Sequence, residues 1–446
     1  MNERRSIVHI GIDDIDSPLG GCTTHAALYL THKLLREFEG KLKLIEPLNL
    51  VRLNPSIPWK TRGNGAVCIR IEIDGVKLST LSELVSKFIE RYSRRFTHVS
   101  QSPGAIIIDD YTLEKHFTFL KRVFELAVSD LLHKDFLEPI LNDALIVAEG
   151  RGIIGSLAAI AWITTRSSYT YELLTYRGRS HWGLSRCIDP VSVIEFDSVS
   201  KRTLCNVDND RILIAPHGND PVLYGVRGLD PFELLEALKR IHLCEDLAGF
   251  SLFVTNQHTN DHLRYSTSKD LKRAYRCGCV LGYVLEVRYS RGALLLTVCD
   301  STGCIDAVAF TETRLNKVIQ GLNKNDLVRV CGCVKPWKGS LYIHVERIDI
   351  LELYPAIEPR RPRCPRCNSK VKYVGRGSGF KCFNCGYTFH SSHFVESSRA
   401  LDHGMYLPPT SRIKHLQKPL LAYLENPTPL SRAPIAMECY EPLDFL

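Results

Sequence analysis

Three carboxylates, Asp13, Asp14 and Asp16, lie within four residues of one another and directly follow a short apolar segment. Negative charges this close repel one another unless a cation binds between them. Mg²⁺ suits such a group because it prefers hard oxygen ligands and fills its remaining positions with water and phosphate oxygens. These residues are therefore candidates for a Mg²⁺ site.

A glycine-rich turn follows the acidic residues and ends with Gly21, Thr23 and Thr24. A helix is expected to begin here, with Thr23 or Thr24 as its N-cap. Free N–H groups and the helix dipole favour phosphate at such a position. Together the two segments indicate a Mg²⁺–nucleotide site, although an acidic turn followed by a capped helix explains the same spacing equally well.

A second loop carries positive charge beside glycine, in the order Lys60-Thr61-Arg62-Gly63-Asn64-Gly65. Lys60 and Arg62 can neutralise phosphates, and the glycines let the backbone come close to a ligand. The order of a Walker A loop, G-x-x-x-x-G-K-[ST], is absent. A hairpin turn is an equally good interpretation of this segment.

Two CxxC pairs near the C-terminus resemble those of a zinc ribbon, with Cys364 and Cys367 followed by Cys382 and Cys385. The fourteen residues between the pairs fall just short of the usual spacing but are of the same kind. Four thiolates complete a tetrahedron and leave no position open for water, so the predicted Zn²⁺ is structural. Seven Lys or Arg residues and one acidic residue lie within 355–376. This charge is typical of a phosphate-contacting surface, although a solvated loop can have the same composition.

A third glycine-rich segment matches the dinucleotide fingerprint G-x-G-x-x-G between a strand and a helix, with Glu172 at the usual distance beyond it: Gly150-Arg151-Gly152-Ile153-Ile154-Gly155. The segment lies in the middle of the chain, and no second βαβ half of a doubly wound domain is evident. Close packing of a helix on a strand therefore explains these glycines better than NAD binding.

Strands and helices alternate around these motifs. Apolar periodicity predicts them in turn near residues 7–12, 23–38, 67–73, 81–92, 105–108 and 117–132, as in an α/β or α+β domain. Beyond residue 275 the pattern predicts three strands, a helix and two further strands, which is the order of an OB-fold barrel. The proline-rich tail after the ribbon shows little sign of a core.

The composition is that of an ordinary globular protein, with 44% hydrophobic and 24% charged residues and a formal net charge of +8. No stretch reaches the ~20 apolar residues of a membrane span. The N-terminus lacks the apolar core of a signal peptide, so we expect a cytoplasmic protein with no membrane partner.

Sixteen cysteines are present, and the redox state of the twelve outside the ribbon motif is left open. Cys277 and Cys279 have the spacing of residues on one face of a strand, as do Cys331 and Cys333. A cytosolic chain normally keeps such thiols reduced and buried, whereas in a hyperthermophile some of them could form disulfides.

Motifs occur in one order along nearly the whole chain, in residues 11–18, 21–24, 51–55, 57–65, 150–155, 168–172, 221–228, 255–257, 261–262 and 414–420. Taken together, they resemble the archaeal tRNA(Ile) 2-agmatinylcytidine synthetase (TiaS) family. The main departure is Ile15, where that pattern has Thr, but the neighbouring carboxylates remain.

The resemblance implies a multidomain α+β protein. Its expected parts are a kinase-like α/β catalytic domain (1–145), a ferredoxin-like domain (146–272), an OB-fold β-barrel (273–354), a zinc ribbon (360–392) and a C-terminal tail (393–446). It also implies ATP, Mg²⁺ and structural Zn²⁺ as cofactors, and agmatine and tRNA(Ile) with a CAU anticodon as partners. Agmatine would replace the 2-carbonyl oxygen of the wobble cytidine, so that the anticodon reads AUA instead of AUG.

By matching position, the resemblance makes Thr23 the autophosphorylated threonine and Asp13, Asp14 and Asp16 the metal-binding acids. The ATP-phosphate candidates are Gly21, Thr24, Lys60, Arg62, Gly63 and Asn64. The agmatine candidates are Glu149, Asp197, Tyr224 and Gly225. The OB-fold and ribbon would hold the tRNA. The alternative is a non-catalytic single-strand-binding protein, which would have no use for clustered acids that repel phosphate.

Overall fold

A computed structural model describes the chain in residues 5–60, 62–98, 101–355, 357–359, 362–375, 377–390, 394–396 and 399–441. The strands β1 to β23 are Ser6–Asp13, Leu42–Leu44, Leu48–Arg52, Gly65–Ile73, Gly104–Asp109, Leu145–Glu149, Thr170–Arg177, Val207–Asp208, Arg211–Ile212, Val222–Gly228, Leu247–Thr255, Cys277–Ser290, Ala293–Asp300, Gly303–Phe310, Leu327–Trp337, Ser340–Glu352, Ile357–Pro359, Val371–Gly375, Gly379–Cys382, Thr388–Phe389, Phe394–Glu396, Gly404–Tyr406 and Met437–Cys439. The helices α1 to α10 are Thr23–Glu37, Leu78–Arg95, Asp110–Lys115, Phe117–Ser129, Glu138–Leu141, Ile153–Ala161, Pro190–Val199, Pro231–Arg240, Leu315–Gln320 and Leu420–Leu424.

Ten strands form one large sheet in the order β10-β7-β11-β3-β4-β1-β5-β6, with β2 beside β4 and β23 beside β11. Neighbouring strands are antiparallel except β3 and β11, which run parallel and pair Leu48 with Phe253. The ranges predicted as the catalytic and ferredoxin-like domains therefore share one sheet. Their boundary at residue 145 falls at the start of β6, which pairs with β5, and this boundary stays a prediction.

Helix α6 lies directly on β1 because the contact surface of the strand carries almost no side chain. Ile10 and Ile12 point to the opposite face, where both are fully buried in the core. Gly11 faces α6, and a Cβ at this position would overlap the carbonyl oxygen of Ser156. The Ser156 hydroxyl donates a hydrogen bond to the Gly104 carbonyl oxygen on β5 at 2.7 Å. Helix α6 is therefore held in direct contact with the end of β1.

A buried carboxylate joins the two halves of the large sheet. Glu172 on β7 accepts from Arg52 Nη2 on β3 at 2.9 Å and from Arg227 Nε on β10 at 3.0 Å. Burial would raise the pKa of Glu172, but the two guanidinium groups outweigh it and hold that pKa below its usual value. The carboxylate is therefore ionised near neutral pH, and each half of the sheet supplies part of its stabilisation.

Strands β12 to β16 close into a barrel with the predicted OB-fold order. The long strand β12 pairs with both β13 and β15, and β14 closes the barrel by pairing in parallel with β16. Helix α9 lies between β14 and β15 in sequence and packs on β13 and β14. The sequence-based prediction of an OB-fold is confirmed.

Four disulfides pair eight of the twelve cysteines outside the ribbon motif, whereas Cys22, Cys68, Cys205 and Cys439 are free. Cys277 lies opposite Cys333, and Cys279 lies opposite Cys331, so the two predicted pairs face each other across β12 and β15. The others join Cys299 to Cys304 and Cys187 to Cys244.

The C-terminal tail is part of the fold, so the expectation that it has little core is wrong. Leu416 is fully buried in the main core, and Gln417 Nε2 donates to the Glu346 carbonyl oxygen of the barrel at 2.6 Å. Strand β22 pairs with β16 of the barrel, while β23 pairs with β11 of the large sheet. The tail therefore fastens the barrel to the sheet. No α-helix in the described ranges is long and apolar enough to cross a membrane.

Replacing Glu172 by Gln should lower the free energy of unfolding by about 3 kcal/mol, because two buried guanidinium groups would lose their counter-charge. Urea unfolding followed by circular dichroism measures this. Glu236→Gln is the control, since Glu236 forms only exposed ion pairs with Lys239 and Arg240, and its loss should leave the free energy of unfolding essentially unchanged. Equal effects of the two substitutions would contradict a structural role for the buried pair.

Candidate functional site

The three clustered acids lie where β1 ends. Asp13 and Asp14 are buried, with relative exposures of 8% and 5%, and Asp14 adopts a left-handed backbone conformation with φ 59°. Burial raises the pKa of Asp13 well above its usual value, and the neighbouring charges of Asp14 and Asp16 raise it further. Burial also raises the pKa of Asp14, against the opposing effect of Arg151. The loop thus concentrates carboxylates whose ionisation needs added positive charge, as expected for a cation site.

The glycine-rich segment 150–155, which resembles a dinucleotide fingerprint, packs against this acidic loop. A Cβ at Gly152 would overlap the carbonyl oxygen of Asp13, and a Cβ at Gly155 would overlap its carboxylate. The guanidinium of Arg151 donates to Asp14 Oδ2 at 2.7 Å. The prediction that these glycines permit close helix–strand packing is confirmed, and the arginine between them is the partner of an acid.

Helix α1 begins beside the same loop, but Cys22 is its N-cap rather than Thr23 or Thr24. The Thr23 hydroxyl donates to Asp16 Oδ2 at 2.7 Å, so the two predicted functional residues are in direct contact. Gly21 has φ 78°, and a Cβ there would lie 2.8 Å from the ring of Phe96. Only glycine fits this turn without strain.

The basic loop comes to the acids from the hairpin between β3 and β4. Lys60 and Asn64 line one cavity with Asp13, Asp14 and Arg151, which we call the first cavity. The side-chain amide of Asn64 donates to the Asn54 carbonyl oxygen at 2.9 Å, and this holds the loop against its own start. Arg62 and Gly63 form a single-turn helix with Asn64, in which Gly63 has φ 73°.

A second cavity opens on the other side of the acidic loop. Its polar lining comes from both halves of the sheet and from the tail: Asp16, Thr23, Thr24, Arg52, Glu172, His217, Asp220, Arg227 and His415. A third depression is lined by Asp16, Lys60, Arg151 and Asp220, residues that also line one or other cavity. The acidic loop therefore lies between two adjoining cavities.

The residues expected to bind agmatine are not brought together. Glu149 is exposed and pairs with Lys134 at 2.8 Å, while Asp197 accepts from Thr203 at 3.2 Å. Tyr224 is fully buried, and only Gly225 lines the second cavity. Sequence reasoning missed Asp220, Arg227 and His415, although residues 221–228 and 414–420 carried part of the family resemblance.

The four ribbon cysteines converge at one point, with Sγ–Sγ distances of 3.5 Å for Cys364–Cys385 and 3.4 Å for Cys367–Cys382, and all four sulfurs within 4.8 Å of one another. Thiolates around tetrahedral zinc, each about 2.3 Å from the ion, would be about 3.8 Å apart. The donor set and its size therefore fit Zn²⁺. Of the surrounding basic residues, Arg363, Arg366, Lys370 and Lys372 are described, whereas Arg360, Arg361 and Arg376 lie outside the described residues.

Comparison with known proteins agrees with this architecture. The TiaS TCKD domain family matches residues 9–138, the TiaS FLD domain family matches 150–262, and the OB-fold nucleic acid binding domain family matches 279–351. A curated relative from Ignisphaera aggregans, the 2-agmatinylcytidine synthetase TiaS of an isoleucine tRNA, is 38% identical over 95% of this chain and 94% of its own. This chain belongs to the TiaS family.

Solved TiaS structures extend the likeness to three dimensions. The complex of TiaS with its isoleucine tRNA and ATP has a TM-score of 0.77 and 32% identity, and the complex with the tRNA, AMPCPP and agmatine has a TM-score of 0.75 and 30% identity. Each likeness covers 93% of this chain and 97% of the solved chain. The likeness to TiaS structures therefore extends over nearly the whole chain.

Replacing Gly155 by Ala should displace the Asp13 carboxylate, because the added methyl group would occupy its position. We expect at least tenfold weaker divalent-ion binding, measured by titration with Mn²⁺ as a paramagnetic probe. Gly377→Ala is the control, since a Cβ there meets no atom within 4 Å. A folded Gly155→Ala protein with unchanged Mn²⁺ affinity would show that Asp13 does not contribute to a metal site.

Proposed function

We propose that this protein uses ATP to join agmatine to C2 of the wobble cytidine in tRNA(Ile) with a CAU anticodon, forming 2-agmatinylcytidine. The observation that carries this proposal is the meeting of the acidic loop and the basic loop at one cavity in a chain of the TiaS family. A cytoplasmic location follows as part of the proposal, since that is where such a tRNA is used.

The chemistry requires a better leaving group than a carbonyl oxygen. Transfer of the γ-phosphoryl group of ATP to the 2-carbonyl oxygen supplies one. The primary amine of agmatine then forms a bond to C2, the C2–O bond breaks, phosphate leaves with the electron pair, and the amine loses a proton. Phosphoryl transfer depends mainly on positioning and charge neutralisation, which the two loops are suited to provide.

The acidic loop would hold Mg²⁺ through Asp13, Asp14 and Asp16, and the ion would neutralise charge on the ATP phosphates. Lys60 and Asn64 line the first cavity with these acids, so we assign them to the phosphates. Gly63 lines the second cavity and Gly21 the third depression, so their assignment to the phosphates rests on family resemblance. Arg62 and Thr24 keep their assignment on family resemblance alone. These groups orient the γ-phosphoryl group toward the cytidine.

Thr23 is the candidate for autophosphorylation. Its hydroxyl donates to Asp16 at 2.7 Å, so this carboxylate is placed to accept the proton when the hydroxyl oxygen takes up a phosphoryl group. The residue is almost fully buried at the start of α1, beside the acids assigned to Mg²⁺. Both observations support a phosphoryl acceptor here.

Agmatine is assigned to the second cavity, which adjoins the acidic loop and has Gly225 in its wall. Its positive charge needs a carboxylate, and we give this role to Asp220 instead of Glu149 and Asp197, because Asp220 lines the cavity and its ion pair with Arg186 is long, at 3.4 Å. Glu172 also lines it, but two arginines already neutralise its charge. Tyr224 then supports the wall from behind.

The ribbon and barrel are assigned to holding the tRNA. A structural Zn²⁺ bound by Cys364, Cys367, Cys382 and Cys385 would keep the basic ribbon surface folded. The alternative of a purely nucleic-acid-binding protein is not favoured, because it leaves the acidic loop and its supporting Arg151 without a purpose. The deciding assay combines protein, ATP, Mg²⁺, agmatine and the tRNA, and no incorporation of agmatine at the wobble base would reject the proposal.

Asp13→Asn and Asp16→Asn should each lower kcat for agmatine transfer by at least about 100-fold while tRNA affinity is retained, because they remove charge from the reacting centre only. Asp135→Asn, at an exposed carboxylate that pairs only with His133 among the described residues, is the matched control.

Cys382→Ser should instead weaken tRNA binding or lower stability and leave tRNA-independent ATP hydrolysis largely intact. Filter binding and phosphate release measure the two activities separately. The reverse pattern, with ribbon variants losing hydrolysis and acidic-loop variants losing tRNA, would contradict this division of roles.

A further inference from the structure

One outer face of the barrel is formed by residues that point away from its core. Cross-strand partners lie on the same face, and the register places Leu295 opposite Val308, Val308 opposite His344, and Lys335 opposite Tyr342. These residues belong to β13, β14, β15 and β16, which include the second and third strands of the OB-fold. Oligonucleotides bind OB-folds across this part of the barrel and at the loops beside it.

Aromatic side chains lie on this face and are only partly covered. Trp337 makes edge contacts with Phe310 at 5.8 Å and with Tyr342 at 5.4 Å between ring centroids. Lys338 lies 4.4 Å from the centre of the Trp337 ring and donates to the Ser290 hydroxyl at 2.9 Å, which joins the two hairpin loops at the edge of the face. Rings in this arrangement can stack with unpaired bases.

The end of the face nearest the large sheet is positively charged. Lys335 is half-buried, and it has no acidic hydrogen-bond partner in the described part of the chain. Lys414 of the tail pairs with Glu346 on the neighbouring strand β16, and the next residue, His415, lies beside Gly63 of the basic loop that carries Lys60. Glu346 is the nearby acid, but both of its oxygens are engaged, with Lys414 at 2.6 Å and His262 at 2.8 Å.

Three lysines from three separate parts of the chain therefore meet between the barrel and the first cavity. Glu346 neutralises Lys414, and the positive charge of Lys60 and Lys335 favours the binding of a further anion here. Lys60 lines the first cavity with the acids, so an anion bound by Lys335 and Lys414 would lie next to the reacting nucleotide. The phosphate backbone of RNA supplies an anion at every nucleotide.

We propose that Lys335 and Lys414 bind the backbone phosphate next to the wobble cytidine, while Phe310, Trp337 and Tyr342 stack the neighbouring anticodon-loop bases. This inference rests on the proposed function and adds positioning residues to it. Lys335 acts by fixing the position of the target cytidine relative to Lys60 and the acidic loop. The aromatic groups compensate for stacking that the anticodon loop loses when its bases are splayed apart.

A pH dependence follows from the surroundings of Lys335. Burial and the charges of Lys414 and Lys60 lower the pKa of Lys335 to about 8, with Glu346 acting in the opposite direction. A bound phosphate stabilises the ammonium form and raises this pKa. The phosphate contact is therefore fully present below pH 8 and is lost as the pH rises beyond it. The other ionisable groups of the face are His344, Tyr342 and Lys338. Burial and the neighbouring lysines lower the pKa of His344 to about 4, so it is neutral in this range.

The test compares Lys335→Gln, Lys335→Arg and Lys317→Gln with the unaltered full-length protein, using a tRNA(Ile) transcript with a CAU anticodon. Lys335→Gln should raise KM and Kd for tRNA about tenfold at pH 7 and reduce the salt slope of log Kd by about one. ATP hydrolysis without tRNA should not change. Lys317 lies exposed on α9, outside the proposed face, and its substitution should have no effect.

The arginine variant separates positioning from folding. Lys335→Arg should restore tRNA affinity at pH 7 and abolish the weakening of binding between pH 8 and 9.5, because the guanidinium stays charged. Trp337→Leu should weaken binding of the same transcript with an unchanged salt slope, and Trp337→Phe should restore most of it. Wild-type affinity, salt slope and pH profile in Lys335→Gln would overturn the inference, whereas failure of the unaltered protein to transfer agmatine would overturn the proposed function instead.

Discussion

Mutual repulsion among Asp13, Asp14 and Asp16 is the physical constraint on which the arrangement of the surrounding residues depends. Carboxylates that are close together and largely removed from water destabilise the folded chain unless donors and cations surround them. The surrounding structure supplies part of this compensation, through Arg151 on Asp14 and the Thr23 hydroxyl on Asp16. Under the proposed function, a Mg²⁺ ion and the basic loop would supply the rest, and the same acidic residues would then bind the phosphates of ATP.

This requirement explains features of the fold that lie far apart in sequence. Helix α6 must come close enough to β1 to bring Arg151 to the acids, and this is possible because Gly11, Gly152 and Gly155 carry no side chain. The sheet must continue from β4 through β3 into β11, so that the cavity walls come from both halves. Glu172 and its two arginines stabilise that junction without adding net negative charge beside the acidic loop.

The parts of the site that sequence predicts are those whose chemistry is local. The acidic loop, the two CxxC pairs and the strand order of the barrel are each encoded within a short stretch, so spacing alone identified them. The pairing of Arg151 with Asp14 spans 137 positions, and Glu172 meets Arg52 across 120. Glu149 is predicted as a carboxylate for agmatine, but it lies on the edge strand β6, where its side chain is exposed and pairs with Lys134. Packing between distant parts of the chain determines such contacts, and a single sequence carries little information about them.

The tail shows how the barrel becomes part of the active site rather than an appended binding module. Lys414 and Gln417 both contact Glu346 of the barrel, while Leu416 between them is buried in the main core. A hinge at this point would separate Lys335 from Lys60 and lose the alignment between them. Extruding a base from a loop costs a few kcal/mol of free energy. Phosphate contacts can offset this cost only if their position is fixed relative to the cavity that receives the base. Phosphate contacts are independent of base sequence. Because the barrel is rigidly attached, we infer that such contacts place one particular cytidine beside the acidic loop.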